Sequence, residues 1–397
     1  MLNERYQIFR KLGYGSYSTV WLAKDLQNQR YVAVKFHSLR AEYREPCEVR
    51  HPNVEHMLDR FVHKGMNGSH VCIVLEPIGR SLMTVVESWL LFKFGHKPED
   101  EEDETCEPHR WSLKISREIC RQLLLGLDSL HSQQIAHRDI HPGNIAFALS
   151  YDINSMSMDE IQQFGAGYED VDHVNENTDW DAQDLRRFGT SIARIKRVDG
   201  KPLESREIQY TVQSKPLNDR LIFDNDPHFR ILLIDLGDSQ KFEDCNQRLY
   251  GPSSYRAPEA ILPIDITYKA DIFSLGLVFW ETVMSRNIVC AEIGDDMKPD
   301  DNQYIKEFIT RIGSMPEHFQ QIFPLKDSFR DEEMLDPENY AHGDMRFAAR
   351  RDRPEDMTDA DIEVFLYLMK QMMQWEPEKR PTTRQLLKHP FFATSYK

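Results

Sequence analysis

The stretch His137–Asn144 reads HRDIHPGN. It sets an aspartate, Asp139, five residues ahead of an asparagine, Asn144, with Pro142 and Gly143 between them. A plain surface turn has the same outward look, because Pro-Gly is a common turn dipeptide. The chemistry on offer is more particular. A carboxylate can orient a hydroxyl or take its proton. An amide oxygen is a hard donor of the kind Mg2+ accepts in an incomplete protein cage. What the loop does depends on what the rest of the chain sets around it.

Downstream lies ILLIDLGDSQ, Ile231–Gln240, where four apolar residues lead into Asp235. An aspartate just past a buried strand is placed to bridge a metal ion to phosphates. SSYRAPEAIL follows and puts Glu259 in a fixed turn, and Arg380 in EKRPTT is its candidate ion-pair partner. Asp271 opens the apolar stretch ADIFSLGLVFWETVM and is a candidate acceptor for backbone N–H groups of the HRD loop. Upstream, VAVK places Lys35 on an apolar strand, where its ammonium can neutralise phosphate oxygens in a dry cleft. LGYGSYSTVWLAKD, before it, carries Gly13 and Gly15, and glycine lets backbone N–H groups approach a phosphate without a Cβ in the way. The strand–turn–strand setting of that turn disfavours a dinucleotide fold, whose glycines open a helix.

Residues 6 to 36 alternate like strands, and HMLDRFVHKG and HVCIVLEPIG flank MNGS, an Asn-Gly hairpin signal. Beyond Gly79 the period changes. SLKISREICRQLLLGLDSLHSQ carries Ile115, Ile119, Leu123, Leu124, Leu127 and Leu130 as a helix stripe, and KADIFSLGLVFWETVMS is apolar almost all round. Strands first and helices afterwards predict two lobes of different class. Polar stretches from 151 to 229 interrupt the scheme and read as an insertion with partial order. The acidic run Glu99–Glu104 reads as a solvated loop.

The 397 residues carry 65 acids against 49 bases, a formal charge of −16, which argues against nucleic acid as direct ligand and fits a basic partner. Six scattered cysteines without a CxxC pair read as reduced thiols. No apolar run approaches a membrane span of about 20 residues, and the first residues lack the apolar core of a secretion signal.

In order and spacing, the glycine turn, VAVK, HRDxxxxN, DLG, APE and the later Asp and Arg resemble the eukaryotic protein-kinase signature, from about Tyr6 to Phe392. Antibiotic and small-molecule kinases often carry histidine where His141 stands, but they lack the YRAPE segment and the DIFSLG helix. The resemblance implies an α+β, bilobal eukaryotic protein-kinase fold. A β-rich N-lobe would span 1–79 and a mostly helical C-lobe 80–397, the latter holding the insertion at about 151–229. It implies ATP and Mg2+ as cofactors. Asp139, Lys35 and His141 would be catalytic, and Asn144 and Asp235 would hold metal. Gly13, Gly15 and Lys35 would face the phosphates. Val20, Ala33 and Ala146 would sandwich the adenine, with Leu75 as gatekeeper and Glu76 and Ile78 giving hinge hydrogen bonds. Asp271, Glu259 and Arg380 would be structural.

Finer features resemble the SR-protein kinases: Ser18 at the third glycine place followed by Trp21, the stretch HKGMNGSHVCIVLEPIGRSL, DLG in place of DFG, and DDNQYIKEFITRIGSMPEHF. HPGN with a short insertion is most similar to fungal members. That likeness implies a non-specific serine/threonine protein kinase (EC 2.7.11.1) acting on basic, Arg-Ser-rich proteins of mRNA splicing. It further implies a monomer in cytoplasm and nucleus, with no direct nucleic acid or membrane partner. An acidic groove for substrate arginines could draw on Asp295, Asp296, Asp300 and Asp301.

Three departures stand out. His37–Arg50 is short for the helix that should bring a glutamate to Lys35. Pro46 would break that helix, and Glu42 is the candidate partner, with Glu45 and Glu48 as alternatives. His141 replaces the usual lysine, which predicts slower catalysis. Arg138 stands where the SR-protein kinases commonly have threonine. The short helix leaves a non-catalytic kinase-like binding module as the alternative function, and HPGN leaves a small-molecule kinase as the second.

Overall fold

Alternating side chains build five strands, β1 (Tyr6–Tyr14), β2 (Ser18–Asp25), β3 (Arg30–His37), β4 (Met57–Gly65) and β5 (Gly68–Leu75), in a computed structural model of the chain. The structure describes residues 1–15, 18–37, 48–65, 68–86, 111–163, 192–194, 210–212, 214–217, 229–245, 249, 251–262, 264–289, 301–322 and 345–393. The chain forms two compact units. The first comprises Met1–Arg50, Glu55–Arg80 and Phe147–Ile222; the second comprises His51–Val54, Ser81–Ala146 and Phe223–Lys397.

In the first unit the strands pair antiparallel in the order β1-β2-β3-β5-β4. The alternation puts Tyr6, Ala23, Val32, Val34, Cys72 and Val74 in one core. Ala33, Ile73 and Leu75 form another, on the opposite face of the sheet. That second face continues through Leu22 and Tyr31, and there the insertion docks. Ile153, Ile161 and Leu217 pack on Leu22 and Tyr31, with Phe9 and Leu12 alongside. Polar groups pin it further. Asn154 Oδ1 accepts the Tyr31 N–H at 2.7 Å, and the Lys215 N–H donates to Lys11 O at 2.9 Å. Buried Arg10 on β1 donates to Ile161 O at 2.9 Å and Pro216 O at 3.4 Å. The sequence places the insertion within the C-lobe, whereas Phe147–Ile222 belongs to the first unit. The reason is physical: β1–β3 offer an apolar face and a guanidinium that need covering.

The second unit is helical. α1 (Leu113–Ser132) starts at Ser112, whose side chain accepts the Ile115 N–H, and its stripe Ile115, Ile119, Leu123, Leu127 and Leu130 is buried. α2 (Ala270–Met284) is buried along its whole length, as an all-round apolar helix must be, and ends at Ser285 in the left-handed region. Phe273 meets Phe308 of α3 (Asp301–Ile312) edge-on at 5.1 Å. Trp280 stacks on Phe365 of α4 (Asp359–Met372), which is capped by the Thr358–Asp361 box. Asn53 ties the short segment His51–Val54 into this unit: its amide donates to Gln122 Oε1 and Ile231 O, and its carbonyl accepts the Leu233 N–H. A Cβ on Gly126 would lie 2.6 Å from Asn53 O, so only glycine lets α1 come this near.

Glu42 and Glu45 lie outside the described residues, as do the acidic run Glu99–Glu104 and Asp295, Asp296 and Asp300. Among the described residues, no helix is long and apolar enough to cross a membrane.

Candidate active site

Within the first unit the proposed nucleotide face is a strip of paired residues. Val20 opposes Lys35, which opposes Ile73, and Ala33 opposes Leu75. Val20, Leu12 and Met57 pack on the Ala33–Ile73–Leu75 cluster, so the face is apolar with a half-buried amine at Lys35. Gly13 sits beside a register shift between β1 and β2, and the Gly15 N–H donates to Ser18 O at 2.9 Å. Glu76 and Ile78 follow directly on β5. An apolar strip that ends in an amine and a glycine turn fits an adenine and its phosphates.

Within the second unit the HRD loop is held from below by Asp271. Its carboxylate accepts the N–H groups of His137 and Arg138, each at 2.8 Å, and His131 Nε2 at 3.0 Å. Burial opposes the charged form of Asp271, yet the His131 hydrogen bond, the histidines nearby and the Arg138 N–H outweigh it and keep its pKa below the ordinary carboxylate value. Arg138 has φ of 71°, a strained value for a residue with a side chain, and Asp271 holds it there.

Asp139 and Asn144 come together as their spacing allows. Asn144 Nδ2 donates to Asp139 Oδ2 at 2.8 Å and to the Asp139 carbonyl at 3.0 Å. The DLG segment is laced to the same loop, because the Ile234 N–H donates to Asn144 O at 2.9 Å and His137 Nε2 pairs with Ile234 O at 3.1 Å. Asp235, next in the chain, stands in the left-handed region at φ 60°. Its Oδ1 meets the Gly237 N–H at 3.4 Å. Ala146 is buried on the strand Ile145–Ala148 that leaves the loop.

The donor chemistry fits magnesium. The Asn144 amide nitrogen is committed to Asp139, and Asp235 follows Ile234, whose N–H donates to Asn144 O. Among the described residues no cluster of three His, Cys, Asp or Glu side chains could hold a metal by itself. One carboxylate and one amide, completed by phosphate and water, is the kind of partial set Mg2+ takes.

Glu259 and Arg380 form a fully buried, two-pronged ion pair at 2.6 and 2.7 Å. Arg380 also donates to the carbonyls of Gln374, Lys269 and Trp375. Sequence reading missed three contributors. Tyr255 donates to Glu281 Oε2 at 2.6 Å, Arg256 donates to Gly251 O, and Tyr304 donates to the Arg256 carbonyl. Gly251 is at φ 90°, and a Cβ there would lie 2.0 Å from Asp139 Oδ1. The pairing of a glycine with Pro252 was the only sequence signal of so close an approach.

The family model for the protein kinase domain matches residues 6–154 and 215–392, and the gap falls in the insertion. The chain belongs to the protein kinase family. Within it, the likeness is to the SR-protein kinases. The serine/threonine-protein kinase SRPK of Physarum polycephalum is 26% identical over 98% of this chain and 86% of its own length. Protein kinase dsk1 of Schizosaccharomyces pombe is 34% identical over 38% of this chain and 28% of its own. Among solved structures, the kinase domain of PF14_0431 superposes with a TM-score of 0.58 at 18% identity, over 98% of this chain and 96% of that one, which supports the fold alone.

Proposed function

We propose that this chain is an active, Mg2+- and ATP-dependent serine/threonine protein kinase (EC 2.7.11.1) that phosphorylates serines of basic, Arg-Ser-rich proteins. The observation that carries the reading is the joining of Asp139, Asn144 and the DLG strand through the Asn144–Asp139 and Ile234–Asn144 hydrogen bonds. The name of the Physarum relative, SRPK, supports the substrate class, as does a formal charge of −16.

When bound, ATP·Mg2+ would supply the phosphoryl group, with ADP as the leaving group and the metal ion offsetting phosphate charge. Asp139 orients the serine hydroxyl and receives its proton as the oxygen bonds to phosphorus. Asn144 fixes Asp139, and Asn144 and Asp235 would hold the metal ion by an amide oxygen and a carboxylate. Lys35 neutralises phosphate oxygens, with Glu42 as its ion-pair candidate. Gly13 and Gly15 let backbone approach the phosphates. Val20, Ala33, Ala146 and Leu75 enclose the base, and Glu76 and Ile78 give it backbone hydrogen bonds. Asp271 keeps the HRD loop in shape, and Glu259 and Arg380 brace each other as a structural pair. The protein would act as a monomer in cytoplasm and nucleus.

The test is incubation with Mg2+, labelled ATP and two peptides of equal length, an Arg-Ser repeat and a Gly-Ser repeat. The reading expects label on serine of the Arg-Ser peptide at least about tenfold faster. Label on neither, or on both equally, contradicts it.

A further inference from the structure

The chain holds three His-Pro pairs at the entrances to turns, and all three use the same local bond. His51 Nδ1 accepts the Asn53 N–H at 3.2 Å, His141 Nδ1 accepts the Gly143 N–H at 3.1 Å, and His389 Nδ1 accepts the Phe391 N–H at 3.2 Å. A ring nitrogen that accepts an N–H carries no proton of its own, so each neutral imidazole bears its proton on Nε2. The caps at 51 and 389 form over residues that have a Cβ. Glycine is therefore not needed for the cap itself.

At 143 the demand is different. A Cβ there would lie 2.7 Å from His141 Cε1 and 2.9 Å from its Nδ1, so the imidazole is folded over the bare Cα of Gly143. In this position His141 Nε2 stands 3.7 Å from Asp139 Oδ1. That is too long for a hydrogen bond. Nε2 is therefore near the carboxylate without a hydrogen bond to it. Asp139 Oδ2 is already engaged by Asn144. The rings of Tyr255 and His141 are 6.2 Å apart between centroids.

We propose that Gly143 is a positioning residue that holds the His141 ring with Nδ1 on the Gly143 N–H and Nε2 beside Asp139, where the Nε2–H is a fixed hydrogen-bond donor to the phosphoryl group in transit. This rests on the kinase reading above and deepens it. A lysine works as a mobile point charge on a flexible stem. His141 is a short, oriented donor whose direction is set by the backbone N–H two residues on. The glycine of HPGN is then part of the catalytic loop's chemistry, because it decides where the ring can lie.

The experiment uses the full chain with 15N-labelled histidine and no nucleotide. Long-range proton–nitrogen correlation spectra are expected to show His141 unprotonated at Nδ1 and protonated at Nε2, and to show its ring resonances moved by Gly143→Ala while those of His51 and His389 stay. Kinetics then separate cap from donor. His141→Asn keeps a side chain able to cap the turn but withdraws the Nε2–H, because with its oxygen on the Gly143 N–H its NH2 stops short of the place that Nε2 holds. It is expected to lower kcat about 10- to 100-fold with KM for ATP and the melting temperature little changed. Gly143→Ala is expected to follow in the same direction. Full kcat in His141→Asn, or a His141 proton on Nδ1, overturns the proposal. A wild-type chain that shows the Nε2–H tautomer but transfers no phosphate strikes the kinase reading, and with it the donor role, while the positioning by Gly143 stands.

Discussion

One amide nitrogen of Asn144 reaches Asp139 twice, at 2.8 Å to its carboxylate and at 3.0 Å to its carbonyl. The proposed base and the proposed metal ligand are therefore one mechanical unit: a change in either moves the other. Asn144→Ala removes both the brace on Asp139 and the amide oxygen. It is expected to cut turnover by about 10²-fold and to raise the Mg2+ concentration needed for half-maximal rate. A Mg2+ titration of initial rates checks both. A lower rate with an unchanged Mg2+ requirement would leave only the brace.

The Glu259–Arg380 pair has no exposed side-chain surface. Removing one partner leaves a buried, uncompensated charge, which costs about 3–5 kcal/mol. Arg380→Met should lower stability by that amount in denaturant unfolding, and Glu259→Gln by somewhat less, because the amide still accepts a hydrogen bond. The paired change Glu259→Leu with Arg380→Met should recover part of the loss.

Asp271 makes an acid-sensitive contribution to stability. Its folded pKa is depressed relative to the unfolded carboxylate of about 3.9. The folded state therefore binds fewer protons, and the contribution is full above that value and is lost as pH falls through the folded pKa. Asp271→Asn should lower stability at neutral pH, by about 1–3 kcal/mol, since the N–H groups of His137 and Arg138 lose charge-assisted bonds. It should also flatten the loss of stability below pH ~4. Unfolding curves across pH decide the matter, and equal acid slopes in both proteins would count against it.

Arg10 is the anchor of the insertion on β1. Arg10→Ala leaves the Ile161 and Pro216 carbonyls without this donor in a buried setting, and about 1–3 kcal/mol should be lost. Leu217→Ala opens a cavity in the same cluster and should cost about 2–4 kcal/mol. Both variants should make the insertion more open to protease while α1 and α2 keep their protection in hydrogen exchange.

Much of this architecture was legible from residue pattern alone. β1 to β5 showed their period of two, and the Asn-Gly of MNGS marked the β4–β5 hairpin. α1 had its stripe and α2 its all-round apolarity. Asp139 and Asn144 sit five apart on one loop, so their contact needed no long-range knowledge. The link from Ile234 to Asn144 did need it, because backbone bonds between distant segments leave no trace in side-chain type. The insertion's attachment was hidden for a related reason. Arg10 stands in a strand where a charged residue ordinarily faces water, and its acceptors are carbonyls that any residue could present. The left-handed φ of Gly251 and the three histidine caps are set by geometry of the folded chain.

The central claim is that Asp139, braced by Asn144, orients a serine oxygen for attack on ATP·Mg2+. Single-turnover transfer to an Arg-Ser peptide, measured for wild type and for Asp139→Asn with ATP binding followed in parallel, tests it most directly. The account predicts that Asp139→Asn binds ATP·Mg2+ as wild type does and transfers phosphate at least about 10²-fold more slowly. Equal transfer rates in the two proteins would contradict it.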